Sequence, residues 1–373
     1  MNTNVATISN LTPLRGLAAM MVAIYHFDSV CANFVDAKTT MILGKSYLMV
    51  DLFFIMSGFI ILHVYGGVFA TKIAKKDYWQ YLGARFARIY PLHVFTLLFT
   101  VLAYYLKNEP PSPINDYAAI PSHLLLLHSM GLQSIFTWNV PSWSISAEWW
   151  AYVIFPILSI YIVRYKRSGW IVLSALSLAL YLAIMYWLPR VNPFDPTALV
   201  PHNLDVTYDY GWLRGIAGFI AGMVVYIGYK SGIFAKFLKS DFAGFIMFLL
   251  MLILMHIGAN DILIVAAFAS VVWTFSMNKG QIYSFLQNKV FQFLGDISYS
   301  IYLMHGFIMF FVAVPIITAM GNQYRGPGSV KLAFGNGTWI CIIYLIAIII
   351  VSTLSYYFVE KPCREKLKQL FAR

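Results

Sequence analysis

Residues 11–31 read LTPLRGLAAMMVAIYHFDSVC, and the reading of that stretch decides the architecture. From Leu11 to Val30 it has the apolarity and length of a helix that crosses a bilayer, which takes about 20 residues. Yet it carries Arg15 and His26. An arginine near the middle of such a helix costs about 2.5–3.5 kcal/mol on insertion scales, so it persists where it faces water, a partner or a ligand. At about 100° per residue the interval between the two closes almost three turns. Arg15 and His26 therefore share one face, about 16 Å apart along the axis. That face offers a fixed cation and, further along, a group that accepts a proton near neutral pH. The plainer alternative is an Arg15 that reaches the inner headgroups and a His26 that bonds a neighbouring helix.

The rest of the chain makes this stretch the first of a series. The 373 residues are 60% hydrophobic and 11% charged, whereas a soluble domain carries about a quarter charged residues. The apolar residues fall in blocks of bilayer length at 11–31, 47–68, 90–107, 144–164, 169–189, 211–229, 242–257, 260–277, 297–320 and 338–359. The segment HLLLLHSMGL at 123–132 is too short to span, and reads as re-entrant or interfacial. With no fixed-period repeat and no low-complexity linker, a single domain is expected over 1–373, with no appended soluble domain. The predicted fold class is all-α: a polytopic membrane bundle of about ten transmembrane helices.

The net charge of +11 does not point to nucleic acid, because the basic residues sit mostly in short loops between apolar blocks. Eighteen of the 26 Lys and Arg follow spans two, four, six and eight or lie in the C-terminal tail; six lie on the opposite side, and Arg15 and Arg214 fall within or at the edge of spans. The positive-inside rule then puts both termini in the cytoplasm. The first block lacks a basic n-region and a small-residue cleavage site, so it reads as a retained span. Cys31, Cys341 and Cys363 show no metal-ligand spacing, and no metal is expected. The long outer loops 108–143 and 190–210 are placed to cover an opening on the far side.

Further polar residues interrupt the later spans. In VDLFFIMSGFII (50–61), Asp51 either caps the outer end or turns inward to orient His26 or bind a hydroxyl, and the SGF at 57–59 reads as close helix packing. In KKDYWQYLGARFARIYPLH (75–93), Arg85 and Arg88 are neighbours on one face and Pro91 opens the next span. Such a pair suits a phosphorylated ligand, since guanidinium grips phosphate bidentately, or else anionic headgroups. In PSWSISAEWWAYVIFP (141–156), Ser144 and Glu148 share a face, with Ser146 nearby. The flanking Trp143, Trp149 and Trp150 read as an interfacial belt, which does not explain a carboxylate among them. In GDISYSIYLMHGFI (295–308), Ser298, Tyr302 and His305 form one polar stripe at i, i+4 and i+7. Interhelical bonding accounts plainly for the serine and tyrosine. Glu360, Lys361 and Pro362 read as the close of the last helix.

Arg15 with His26, VDLFFIMSGF, RFARIYP, PSWSISAEWW and ISYSIYLMH, in that order from about residue 10 to 365, resemble the acyltransferase-3 family of bacterial membrane acyltransferases. The resemblance implies a multi-pass enzyme of the cytoplasmic membrane that moves an acyl group, usually acetyl, from cytoplasmic acyl-CoA to a hydroxyl. Acceptors in the family are mostly sugars of surface glycans or lipid-linked glycans, and some antibiotics. By position, Arg15 and His26 correspond to the family's essential Arg–His pair, and Arg85 and Arg88 to its paired arginines. The expected scheme docks the donor phosphates near Arg85, Arg88 and Arg15, uses His26 as general base, and has Asp51 or Glu148 hold its tautomer. Ser146, Tyr302 and His305 are the expected acceptor contacts. Direct transfer needs no acyl-enzyme, though a double displacement stays open. Partners are then acyl-CoA, a carbohydrate or lipid-linked acceptor and the bilayer, without nucleic acid. A secondary transporter, or a flippase or glycosyltransferase for lipid-linked sugars, would share such a chamber. The transporter would show inverted halves or broken helices, which the sequence lacks.

Overall fold

The computed structural model describes residues 8–29, 35–36, 38–108, 110, 112–191, 203–320 and 334–372, and no strand occurs among them. Cys31 and parts of the outer loops thus lie outside the described residues. Every predicted span has its helix: α1 (Leu11–Phe27), α2 (Ser46–Tyr65), α3 (Lys75–Leu106), α4 (Val140–Tyr165), α5 (Arg167–Trp187), α6 (Gly211–Ser231), α7 (Asp241–His256), α8 (Asp261–Met277), α9 (Ser298–Ala319) and α10 (Gly337–Phe371). All but α1, α7 and α8 are long and apolar enough to cross a membrane; those three are shorter apolar helices.

Two polar seams confirm that the helices alternate in direction. At one end Asp261, the first residue of α8, accepts from Lys45 (2.7 Å), from the Tyr47 hydroxyl and from the Leu204 amide (2.8 Å). The end of α7 joins them there, where the Met41 amide donates to the His256 carbonyl. At the other end Asn10 bonds the carbonyls of Phe275 and Asn278, while Asp241 accepts from the Gln281 and Ile282 amides. Residues assigned to opposite sides by loop charge therefore meet at opposite ends.

The α4–α5 connection has no loop. The chain is helical up to Tyr165 and again from Arg167, yet a Cβ on Gly169 would lie 3.1 Å from the Tyr161 carbonyl. A straight helix separates those residues by about 12 Å, so the chain doubles back between them. Both arms of this hairpin pack on α6: Ala147 sits beside Gly215, and the Ser177 hydroxyl donates to the Ala217 carbonyl at 2.8 Å. Gly58 and Gly222 let α2 and α6 cross backbone against backbone, since a Cβ at either position would collide with a carbonyl of the partner helix. That accounts for the glycine of SGF.

Two boundaries differ from expectation. Helix α3 starts at Lys75 rather than near Tyr90, because the basic segment continues as helix against the end of α10; Gly83 and Phe86 both meet Phe371 there. Pro91 is thus an interior residue. The last helix does not stop at Pro362 either. A π-type turn over Tyr356–Glu360 carries the helix past Pro362 into a further stretch, Lys361–Ala372. The segment 120–132 does enter the bundle: its Leu126 carbonyl accepts from Ser146 Oγ (2.6 Å) and Trp150 Nε1 (2.9 Å), both on α4.

Candidate active site

Helices α1, α2, α3, α4 and α9 enclose a partly open crevice with an apolar and a polar wall. Its apolar wall is Val50, Phe53, Phe54, Ile60, Ile61 and Ile145; its polar wall gathers Arg15, Arg85, Arg88, Ser57, Ser144, Glu148, Tyr152 and Tyr302. The i, i+3 spacing of Arg85 and Arg88 on α3 aims both guanidiniums into it. Arg85 donates to the Tyr65 hydroxyl at 3.2 Å and lies over the rings of Tyr65 and Tyr152. Arg88 is paired with Glu360 of the π-type turn and lies over the Tyr299 ring. Glu360 is itself held by Ser300 at 2.9 Å and approached by Arg364 at 3.7 Å. Arg15 reaches the same space from α1 and forms no ion pair among the described residues. The positive charge of Lys368 adds to those of Arg85, Arg364 and Arg88 beside it.

Across from the cations, Glu148 accepts from Ser57 Oγ at 2.7 Å and from the Tyr152 hydroxyl. Tyr302 forms the far wall. Its hydroxyl accepts from Ser144 Oγ at 2.8 Å, and its carbonyl accepts from His305 Nδ1 at 2.6 Å. A carbonyl only accepts, so the Nδ1 of His305 carries the proton and its Nε2, buried without a hydrogen-bond partner among the described residues, is bare. The His305 ring stacks on His26 with centroids 5.1 Å apart and planes 27° from parallel. His305 is fully buried and His26 half-buried. His26 thus packs inside the bundle on the Arg15 face of α1, one side chain beyond the crevice wall.

A family model described as an acyltransferase domain matches residues 8–357. The chain belongs to the acyltransferase-3 family. Among curated proteins, acyltransferase MdmB of Streptomyces mycarofaciens is 29% identical over 163 residues, 41% of this chain and 39% of that protein. Protein 2 in the picA locus of Rhizobium radiobacter is 35% identical over 109 residues, 28% of this chain and 51% of that one. ORF330 of Acidianus two-tailed virus, whose name carries an acetyltransferase assignment, is 27% identical over 314 residues, 79% of this chain and 81% of its own length. The chain therefore aligns with about half or less of the first two relatives and most of the third. No solved structure matches.

In this member of the family the expected residues divide. Arg15, Arg85, Arg88, Glu148 and Tyr302 line one crevice, with His26 and His305 stacked behind Tyr302. Glu148 is not at the outer end beside His26. Because the re-entrant segment delivers the chain into the bundle before α4 begins, Glu148 lies level with Ser57, midway along α2, among the arginines. Asp51 does not orient His26: it is fully buried and bound by Arg214 at 2.7 and 3.0 Å, with Tyr181 at 3.3 Å. Ser146 does not reach the crevice, because its hydroxyl is spent on Ser129 and Leu126. Nor is Trp143 part of a belt; it is buried against Arg214 and Gly211. Sequence reasoning read Ser57 only as part of a packing motif and passed over Tyr152, yet both hold Glu148. Tyr152 follows Glu148 at i+4, a spacing that could have found it.

Proposed function

We propose that this acyltransferase moves an acyl group, acetyl in the simplest case, from acyl-CoA to a hydroxyl of a sugar or lipid-linked glycan, at the cytoplasmic membrane. The observation that carries the reading is the convergence of Arg15 from α1 with Arg85 and Arg88 from α3 on one crevice, with His26 further along the same face of α1. Phosphates of the donor suit that inner, cation-lined end, and the loop-charge asymmetry puts it toward the cytoplasm. The Ser57–Glu148–Tyr152 group offers hydrogen bonds midway, where the amides of a pantetheine arm would pass.

In the proposed step His26 takes the proton of the acceptor hydroxyl as its oxygen attacks the thioester carbonyl. The new C–O bond forms, the C–S bond breaks, and the CoA thiolate leaves with the proton that His26 gives up. His305, which stacks on His26, replaces Asp51 and Glu148 as the residue that positions the imidazole. Purified protein and membranes incubated with labelled acetyl-CoA test this. Wild type should move label into a glycan or lipid fraction. His26→Ala should lower kcat by about 10²–10⁴-fold, the usual worth of general-base help, with KM for acetyl-CoA unmoved. Near-normal transfer by a folded His26→Ala protein would remove His26 from the chemistry.

A further inference from the structure

Away from the crevice, three histidines that no catalytic step uses meet inside the protein. His93 lies on α3, and His123 and His128 lie on the re-entrant segment. All three are buried, with exposures of 1–3%, and one potential ligand atom from each lies within 4.8 Å of the others. The rings sit with centroids 4.0–6.4 Å apart.

Their hydrogen bonds fix the proton positions of two of them. His93 Nε2 donates to the His123 carbonyl at 2.9 Å, and His128 Nε2 donates to the Ser142 carbonyl at 2.9 Å. Carbonyl oxygen accepts only, so in the neutral rings the Nδ1 atoms of both are unprotonated lone pairs. His123 Nε2 lies 2.7 Å from the Thr137 hydroxyl, which as both donor and acceptor is compatible with an Nε2 proton and a bare Nδ1. All three Nδ1 atoms are buried and without a hydrogen-bond partner among the described residues. The Ser122 carbonyl also acts on the His128 ring, but its position does not meet hydrogen-bond geometry. A buried polar atom left unmatched costs about 1–3 kcal/mol, and here three share one site.

Metal-binding imidazoles show this pattern: one nitrogen donates to a carbonyl or hydroxyl, which fixes the tautomer, and the other is bare toward the ion. We propose that His93, His123 and His128 bind a borderline dication of the zinc class through their Nδ1 atoms. Three imidazoles with no thiolate or carboxylate suit Zn²⁺ over Ca²⁺ or Mg²⁺, which want oxygen. Metal–nitrogen bonds of about 2.0–2.1 Å set tetrahedral nitrogens about 3.3 Å apart. The candidate ligand atoms lie within 4.8 Å of one another, and the rings, whose planes lie within 13° of parallel, would turn about their Cβ–Cγ bonds to converge on the ion.

The ion would act as a clamp. The re-entrant segment it joins to α3 holds α4 through the Leu126 carbonyl, and α3 and α4 carry Arg85, Arg88 and Glu148 on the two sides of the crevice. Full-length protein purified without chelator and dialysed against Zn²⁺ should hold about one zinc per chain by elemental analysis. Titration of the chelated protein with Co²⁺ should give the visible bands of a tetrahedral nitrogen site. His123→Gln and His128→Gln should each lose that band and at least tenfold in metal affinity. Chelation of wild type should lower its melting temperature by several degrees, and Zn²⁺ should restore it. Should a variant fail to fold, the wild-type titration decides alone. Wild type with under about a tenth of an equivalent of zinc and no cobalt band would overturn the site. So would variants that keep full metal content.

Discussion

Asp51→Asn separates a structural carboxylate from a catalytic one. The Asp51 carboxylate is fully buried and carries the guanidinium of Arg214, itself 1% exposed, on two bonds of 2.7 and 3.0 Å. Removing one partner of such a pair leaves a buried charge uncompensated, at a cost of about 3–5 kcal/mol. The remaining partners of Arg214 offset little of that. The Tyr47 carbonyl accepts at 3.0 Å, and Asp205 stands 3.8 Å away with its side chain 47% exposed, an ion pair worth about 0–1 kcal/mol. Asn keeps the volume and one acceptor oxygen, so the lower end applies: a loss of about 3 kcal/mol, or two decades in the folding equilibrium. Denaturation in detergent micelles measures it. Asp51→Leu with Arg214→Met should recover all but about 1 kcal/mol, because a well-packed apolar pair replaces a buried ion pair at little cost. Activity per folded molecule should stay near wild type in both. An Asp51→Asn protein as stable as wild type but without turnover would refute the reasoning, and return Asp51 to the side of His26.

Two further substitutions probe the crevice and its surroundings. Arg15→Gln removes a guanidinium that no carboxylate in the described protein pairs with, so stability should hold while KM for acyl-CoA rises about 10–100-fold, the worth of a charged hydrogen bond; initial rates at varied donor concentration would show it, and an unmoved KM would take Arg15 out of the donor site. Ser146→Ala breaks its bonds to Ser129 and Leu126 and should cost about 1 kcal/mol of stability with acceptor KM unchanged, against the expectation that this serine touches the acceptor.

The helices were legible because each span is a predominantly apolar run near bilayer length, and loop charge carried their direction. Depth was not. A sequence reading places the start of every span at the membrane surface, and α4 starts inside, which moved Glu148 from the histidines to the arginines. Arg214 stood out as a cation at the edge of a span, but its partner lies 163 residues away, on another helix. The histidine trio was hidden for the same reason: His123 and His128 looked like part of a short apolar segment, and only the fold of that segment brings them to His93. What local pattern supplies is a face and a residue type; what it withholds is the neighbour across the gap.

Glu360 shows how that neighbour changes the chemistry assigned to a motif. Arg85 and Arg88 looked equivalent on one face of α3, and Glu360 looked like the end of the chain's last helix. Because the π-type turn rotates Glu360 inward and the helix continues past Pro362, Arg88 is already paired with that carboxylate, which Ser300 and Arg364 also hold. Among the described residues Arg85 has only tyrosines as side-chain partners and Arg15 has no ion pair. On the proposed reading a polyanionic donor therefore draws on Arg15 and Arg85 for its charge. Arg88 is in addition tied through Glu360 to the end of α10, where Arg364 and Lys368 add to the positive field around Arg85 and Arg88.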